Sequence, residues 1–153
     1  MVQAKPAGYP QISPYIIVRG AARAIEFYKT VFGAQERLRM PGPNGRVGHA
    51  ELEFGDSLIM LADEAPEHNA VAPGEGGARS VSLHLYVAEV DAVMKKAEEA
   101  GGVISVPVSD KFYGDRSGTL LDPFGHVWHV ATHVEDVPDD ELHRRAAELT
   151  AKS

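Results

Sequence analysis

His49 and Glu51 stand two residues apart in Val47 to Phe54, a stretch of alternating apolar and polar side chains, so an imidazole and a carboxylate share one side of one strand. Imidazole ionises near neutrality, and a carboxylate beside it can take part in acid–base work. His84 offers a second imidazole in Val81 to Val87, where Ser82 and Tyr86 fall on its side. His49, Glu51 and His84 are therefore the catalytic candidates; the plainer alternatives are satisfied structural histidines and a solvated strand face. The chain has no cysteine, which excludes disulfide scaffolds, thiolate zinc sites and cysteine nucleophiles. It also lacks a phosphate-binding P-loop, a dinucleotide fingerprint and a nucleophile elbow.

The elements that must position these residues occur twice. Ile12 to Val18 reads as a strand, and Ala21, Ala24, Ile25, Tyr28 and Phe32 recur at helical spacing before Gly33 stops the helix. Strands are expected at Gln35 to Met40, Val47 to Phe54 and Ser57 to Ala62, separated by Pro41-Gly42-Pro43-Asn44-Gly45 and by Gly55-Asp56. After a segment rich in Pro, Gly and Glu the order returns. Val81 to Val87 is a strand, and Val90, Val93, Met94, Ala97 and Ala100 mark a helix ending at Gly101-Gly102. Val103 to Val108, Ser117 to Leu121 and Val127 to Thr132 are three more strands, with Asp122-Pro123-Phe124-Gly125 as a turn and Trp128 facing the helix layer. Ile12 to Val18 aligns with Val81 to Val87, and Phe54-Gly55 with Phe124-Gly125, an internal repeat. A last helix follows Pro138, with Leu142, Ala146 and Leu149 as its apolar stripe, packed on the body or on a partner subunit.

With 153 residues, 44% hydrophobic and 24% charged, the chain is expected to form a single domain spanning 1–153: module one 9–64, linker 65–79, module two 80–133 and a helical tail 136–151. A formal charge of −7 with scattered cations argues against a nucleic-acid partner. The one local basic run, His143-Arg144-Arg145, is read as cations in the last turns of a helix, favouring its dipole. No run approaches membrane-spanning length and no apolar leader core follows Met1, so no membrane partner and a cytoplasmic location are expected.

The two modules, the pair Phe27-Tyr28 with Phe32-Gly33, and the turn Asp122-Pro123-Phe124-Gly125-His126 together resemble the vicinal oxygen chelate superfamily of glyoxalase I, bleomycin-resistance proteins and extradiol dioxygenases. Ile12-Ser13-Pro14-Tyr15, Gly48-His49-Ala50-Glu51, Asp56-Ser57, Ala62-Asp63 and Phe112-Tyr113-Gly114-Asp115-Arg116 are similar to its PhnB-like branch. The resemblance implies an α+β fold, with two tandem βαβββ modules forming a curved mixed sheet around a cavity, plus the C-terminal helix. Alternation then turns Ile12, Ile16 and Val18 towards the helix and Ser13, Tyr15 and Ile17 inward, with His49, Glu51, Glu53, Ser82, His84, Tyr86 and His129 also facing the cavity. Tyr15, His49, His84, Tyr86, Tyr113, Arg116 and His129 are the expected ligand-binding residues. Phe112 to Arg116 would act as a flap whose Arg116 meets an anionic group, or else form a hairpin with an exposed Asp115-Arg116 ion pair.

Metal-dependent members place four ligands on the first and fourth strands of each module. Carried over, these positions fall on Ser13, on Ile59 or Met60, on Ser82 and on His129, and three of the four are poor ligands for a divalent ion. The resemblance therefore implies a homodimeric protein binding a small organic molecule with no metal cofactor. The alternative is a divalent metal ion held by a displaced set, His49, His84 and His129 with Glu51, in a lyase, isomerase or dioxygenase.

Overall fold

The computed structural model describes residues 2–74 and 79–152, and the chain divides into two compact units, residues 1–78 and 79–153.

In the first unit β1 (Tyr15–Val18) leads through α1 (Ala21–Phe32) to β2 (Gln35–Pro41), β3 (Val47–Phe54) and β4 (Ser57–Asp63). The sheet order is β1-β4-β3-β2, with β1 parallel to β4 and the other pairs antiparallel. α1 has no cap from its own sequence. Instead Asp63, at the end of β4, accepts the Gly20 and Ala21 N–H groups on Oδ1 (3.0 and 2.8 Å) and the Val47 N–H on Oδ2 (2.7 Å). One carboxylate thus satisfies two helix-entry donors and fixes the start of β3. α1 buries Ala21, Ala24, Ile25, Phe27, Tyr28 and Val31 against Ile16, Val18, Ala50, Leu52, Ile59 and Leu61 on one sheet face. Gly33, in the left-handed conformation at φ 75°, ends the helix with its N–H on the Lys29 carbonyl. The first strand is shorter than expected. Pro14 has no N–H for the ladder, and Ile12, expected against the helix, is 87% exposed.

In the second unit β5 (Leu83–Tyr86), α2 (Val90–Glu99), β6 (Val103–Asp110), β7 (Asp115–Leu121) and β8 (Val127–His133) repeat the plan in the order β5-β8-β7-β6, and α3 (Asp139–Ala151) follows. Trp128 is core, as expected. Its Nε1 donates to Asp122 Oδ2 at 2.9 Å, while Asp122 Oδ1 accepts the Phe124 and His126 N–H groups that close the turn. Thr132 Oγ1 accepts the Val90 N–H and donates to the Val87 carbonyl, taking the place that Asp63 has at α1.

Two expectations about the tail change. No residue of α3 is fully buried: Leu142 and Ala146 of the apolar stripe are half-buried and Leu149 is exposed. Arg145 adds a polar anchor, through Glu135 and the Phe112 carbonyl (2.9 Å each), and the Gly114 carbonyl accepts the Val134 and Glu135 N–H groups. His143-Arg144-Arg145 is in mid-helix rather than in the last turns, and Arg144 and Arg145 pair with Glu141. The first part of the expected linker 65–79 is built into unit one: Ala65 bridges Ala70, and Ala72 is buried with its N–H on Glu64. Residues 75–78 lie outside the described residues. Among the described residues no helix is long and apolar enough to cross a membrane.

Candidate functional site

On the face of the first sheet opposite α1, the cross-strand row Tyr15, Met60, Glu51 brings β1, β4 and β3 together. His49, two residues before Glu51 on β3, completes a chain of hydrogen bonds. Tyr15 Oη lies 2.8 Å from His49 Nδ1, His49 Nε2 lies 2.9 Å from Glu51 Oε2, and the Tyr9 hydroxyl donates to Glu51 Oε1 at 2.7 Å. Glu51 is only 4% exposed. Burial pushes its carboxyl pKa up, but the bonds from His49 and Tyr9 outweigh burial and hold it below the ordinary range, so Glu51 is an anion at neutral pH. Both phenols titrate above their ordinary value: Tyr9 through its bond to Glu51 and then burial, Tyr15 through burial and then the Glu51 charge. Arg37 sits over the Tyr9 ring, 4.5 Å from its centroid, and donates to the Gly8 carbonyl. Tyr9 was absent from the expected residues, because it precedes the first strand and obeys no periodicity.

Tyr15 and Ile17 also form one wall of a cleft of about 290 Å³. Ala62 and Asp63 continue that wall; the segments Gly42 to Gly48 and Ala65 to Ala70 supply the rest. Asp63 is committed to three backbone N–H groups, Glu64 to Arg19 (2.7 Å) and the Ala72 N–H, and Glu67 faces Arg46 at 3.6 Å. Arg46 itself donates to the Glu64 carbonyl.

The second unit brings His84, Tyr86 and His129 to one sheet face, with ring centroids 4.8 Å (His84–Tyr86) and 6.4 Å (His84–His129) apart. His129 is held by two hydroxyls, Thr119 Oγ1 at 2.9 Å and Ser82 Oγ at 3.0 Å. A buried carboxylate that the sequence reading did not single out for this face, Asp115, accepts from the Tyr86 hydroxyl (2.7 Å) and pairs with His133 (2.8 Å), whose other nitrogen meets Asp136 at 2.7 Å. The expected flap is a tight turn: the Lys111 N–H bonds the Asp115 carbonyl, and Tyr113 stands edge-on to Phe112 at 5.3 Å. Arg116 is not with the other expected ligand residues. It lies on the α2 side, bonded to Asp91 through two nitrogens (2.8 and 2.9 Å) and to Asp110. The expected Asp115-Arg116 pair does not form either, since neighbouring strand residues point to opposite faces.

Strand pairing settles one ambiguity in the four positions carried over for a metal. Met60 is opposite Tyr15 as His129 is opposite His84, so Met60, not Ile59, is the fourth-strand position. Two serines, a thioether and one imidazole make a poor donor set, and that imidazole has both nitrogens within hydrogen-bond distance of hydroxyls. The displaced set fares no better, because both ring nitrogens of His49 are taken by Tyr15 and Glu51. Among the described residues no group of three or more His, Asp or Glu side chains is arranged to hold a metal ion. These residues do not fit the metal that some relatives carry.

The model of the Glyoxalase/Bleomycin resistance protein/Dioxygenase superfamily matches residues 9–130. An uncharacterized protein of Mycobacterium bovis is 38% identical over 136 residues, covering 87% of this chain and 90% of its own. Among solved structures, TioX from Micromonospora sp. ML1 superimposes with a TM-score of 0.64 at 25% identity, over 82% of this chain and 99% of that one. A PhnB protein from Bacillus cereus gives 0.64 at 20% identity, over 80% and 99%. With the duplicated sheets and the family match spanning both units, the chain belongs to the glyoxalase/bleomycin resistance/dioxygenase superfamily.

Proposed function

We propose that this protein binds a small organic molecule in the cleft beside Tyr15 and does so without a resident metal ion. The observation that carries the reading is the cleft itself, about 290 Å³, bounded by the sheet face opposite α1 and two connecting segments. That volume is near the lower end of ligand pockets, roughly 300–1,000 Å³, and suits a single-ring compound. Apolar Ile17 and Ala62 offer contact area, and Tyr15 offers a hydroxyl to orient the guest. The metal-free part is supported by the committed nitrogens of His49 and His129.

The test is a thermal-shift panel of single-ring compounds, phenol, benzamide and 4-nitrophenol, on the wild-type chain and on Ala70→Trp, which fills the cleft. A ligand at about a hundred times its Kd should raise the wild-type Tm by roughly 5–10 °C, and the substitution should abolish the rise. No shift with any of the three overturns the binding reading. Elemental analysis after purification addresses the metal: zinc, manganese, nickel or iron retained in stoichiometric amount overturns the metal-free part, whereas unchanged ligand shifts after chelation support it.

A further inference from the structure

The hydrogen bonds of Tyr15, His49 and Glu51 have a direction. An ionised carboxylate can only accept, so His49 Nε2 carries the proton and donates to Glu51 Oε2. In the neutral ring Nδ1 is then a lone pair, and the Tyr15 hydroxyl donates to it. Tyr15 therefore keeps an oxygen lone pair available, and it is one of the residues lining the cleft.

We propose that Tyr15, His49 and Glu51 form a proton relay that ionises a weakly acidic hydroxyl, a phenol or an enol, bound in the cleft. The proposal rests on the cleft being the binding site. The ligand O–H breaks and its proton passes to Tyr15 Oη, while the Tyr15 proton passes to His49 Nδ1. The products are the ligand anion, an unchanged tyrosine and an imidazolium against Glu51. One O–H is lost and one N–H gained, and nothing is exchanged with solvent.

Three features support this assignment. Glu51 stays an anion and balances the imidazolium, because His49 and Tyr9 engage its two oxygens and outweigh the opposing effect of its burial. Tyr15 is held neutral by burial and by the Glu51 charge, so it passes a proton on rather than resting as a phenolate. The cleft carboxylates Asp63, Glu64 and Glu67 are tied to backbone N–H groups and arginines, so none of them stands as a free base to take the ligand's proton instead. The groups facing His49 are Tyr15 from β1 and Glu51 from its own strand, with Tyr9 and Arg37 acting on Glu51; opposite it on β2 stands uncharged Met40.

The probe is 4-nitrophenol, whose anion alone is yellow, added below its own ionisation midpoint so that the free compound is mostly colourless; thermal shift reports binding independently. Wild type is expected to bind it as the coloured phenolate. Tyr15→Phe and His49→Gln are expected to bind only the colourless form, roughly tenfold or more weakly. Binding without colour in wild type overturns the relay and leaves the cleft standing, whereas no thermal shift and no colour overturn both. Colour retained in both variants assigns the proton to another base and overturns the relay. If the variants fail to fold, a pH series on wild type decides: the bound probe must ionise at lower pH than the free probe, and an equal or higher midpoint overturns the proposal.

Discussion

The two units place a phenol, an imidazole and a carboxylate on the same sheet face, but in different order. In unit one the imidazole of His49 lies between Tyr15 and Glu51, so a proton leaving the phenol has a ring to enter and a negative charge behind it. In unit two the carboxylate of Asp115 lies between Tyr86 and His133, so both partners donate into it and neither can hand a proton to the other. The first arrangement is a relay and the second a clamp. Strand pairing shows that the two sets do not stand at equivalent positions: the place of Met60 beside Tyr15 is taken by His129 beside His84, and the place of Glu51 by Thr119, while the clamp uses Tyr86, Asp115 and His133 further along their strands. His129 has no carboxylate to fix its tautomer, only two hydroxyls.

The sharpest structural contrast between the units is at the helix entries, where the largest effect is expected. Asp63→Ala removes the acceptor for three backbone N–H groups and should cost about 3 kcal/mol or more in urea denaturation. Thr132→Val removes the acceptor for one N–H and one donor to Val87, and should cost about 1–2 kcal/mol. Equal losses at the two sites would break the view that one carboxylate does in unit one what turn geometry and a hydroxyl share in unit two.

How much of this was legible in the sequence follows from the range of each interaction. Alternation puts His49 and Glu51 on one face of Val47 to Phe54, and likewise Tyr15, His84 and Tyr86 in the two aligned stretches and His129 in the eighth strand, because period two is a local property of a strand. Tyr9 was not legible, since its bond to Glu51 spans 42 positions and begins in a segment with no period. Nor was the Asp63 cap, because helix rules look for a capping residue beside the helix and this one arrives from the end of the last strand of its sheet. The place of Arg116 is not legible either, because a flap over residues 112 to 116 implies no facing. As the second residue of β7, Arg116 must point away from Asp115.

A smaller effect separates relay from clamp by pH. Burial pushes the Asp115 carboxyl up, but His133 and Tyr86 pull it below its ordinary 3.8; Asp115 and then Asp136 lift His133 above its ordinary 6.5. The carboxylate's contribution to stability is thus present above about pH 4 and lost as pH falls through its lowered value. The imidazolium's contribution is present below about pH 6.5 and lost as pH rises through its raised value. The Tm deficit of His133→Gln should therefore be largest between these limits and fade on the alkaline side. Glu51, also lowered, loses its contribution only on acidification, so the deficit of Glu51→Gln should persist at alkaline pH. Parallel pH profiles for the two variants would erase the distinction.

The smallest effect is expected at Arg116, and it tests the facing of the second sheet. Arg116 bonds Asp91 of α2 and Asp110 of β6 in exposed pairs, on the side away from Tyr86 and His129. Exposed ion pairs are screened by salt and contribute little. Arg116→Gln should therefore lower Tm slightly in dilute buffer, with the difference shrinking as salt is added, and should leave the colour and affinity of bound 4-nitrophenol unchanged. A Tm deficit that persists undiminished at high salt would contradict these exposed, screened pairs and with them the placing of Arg116 on the α2 side.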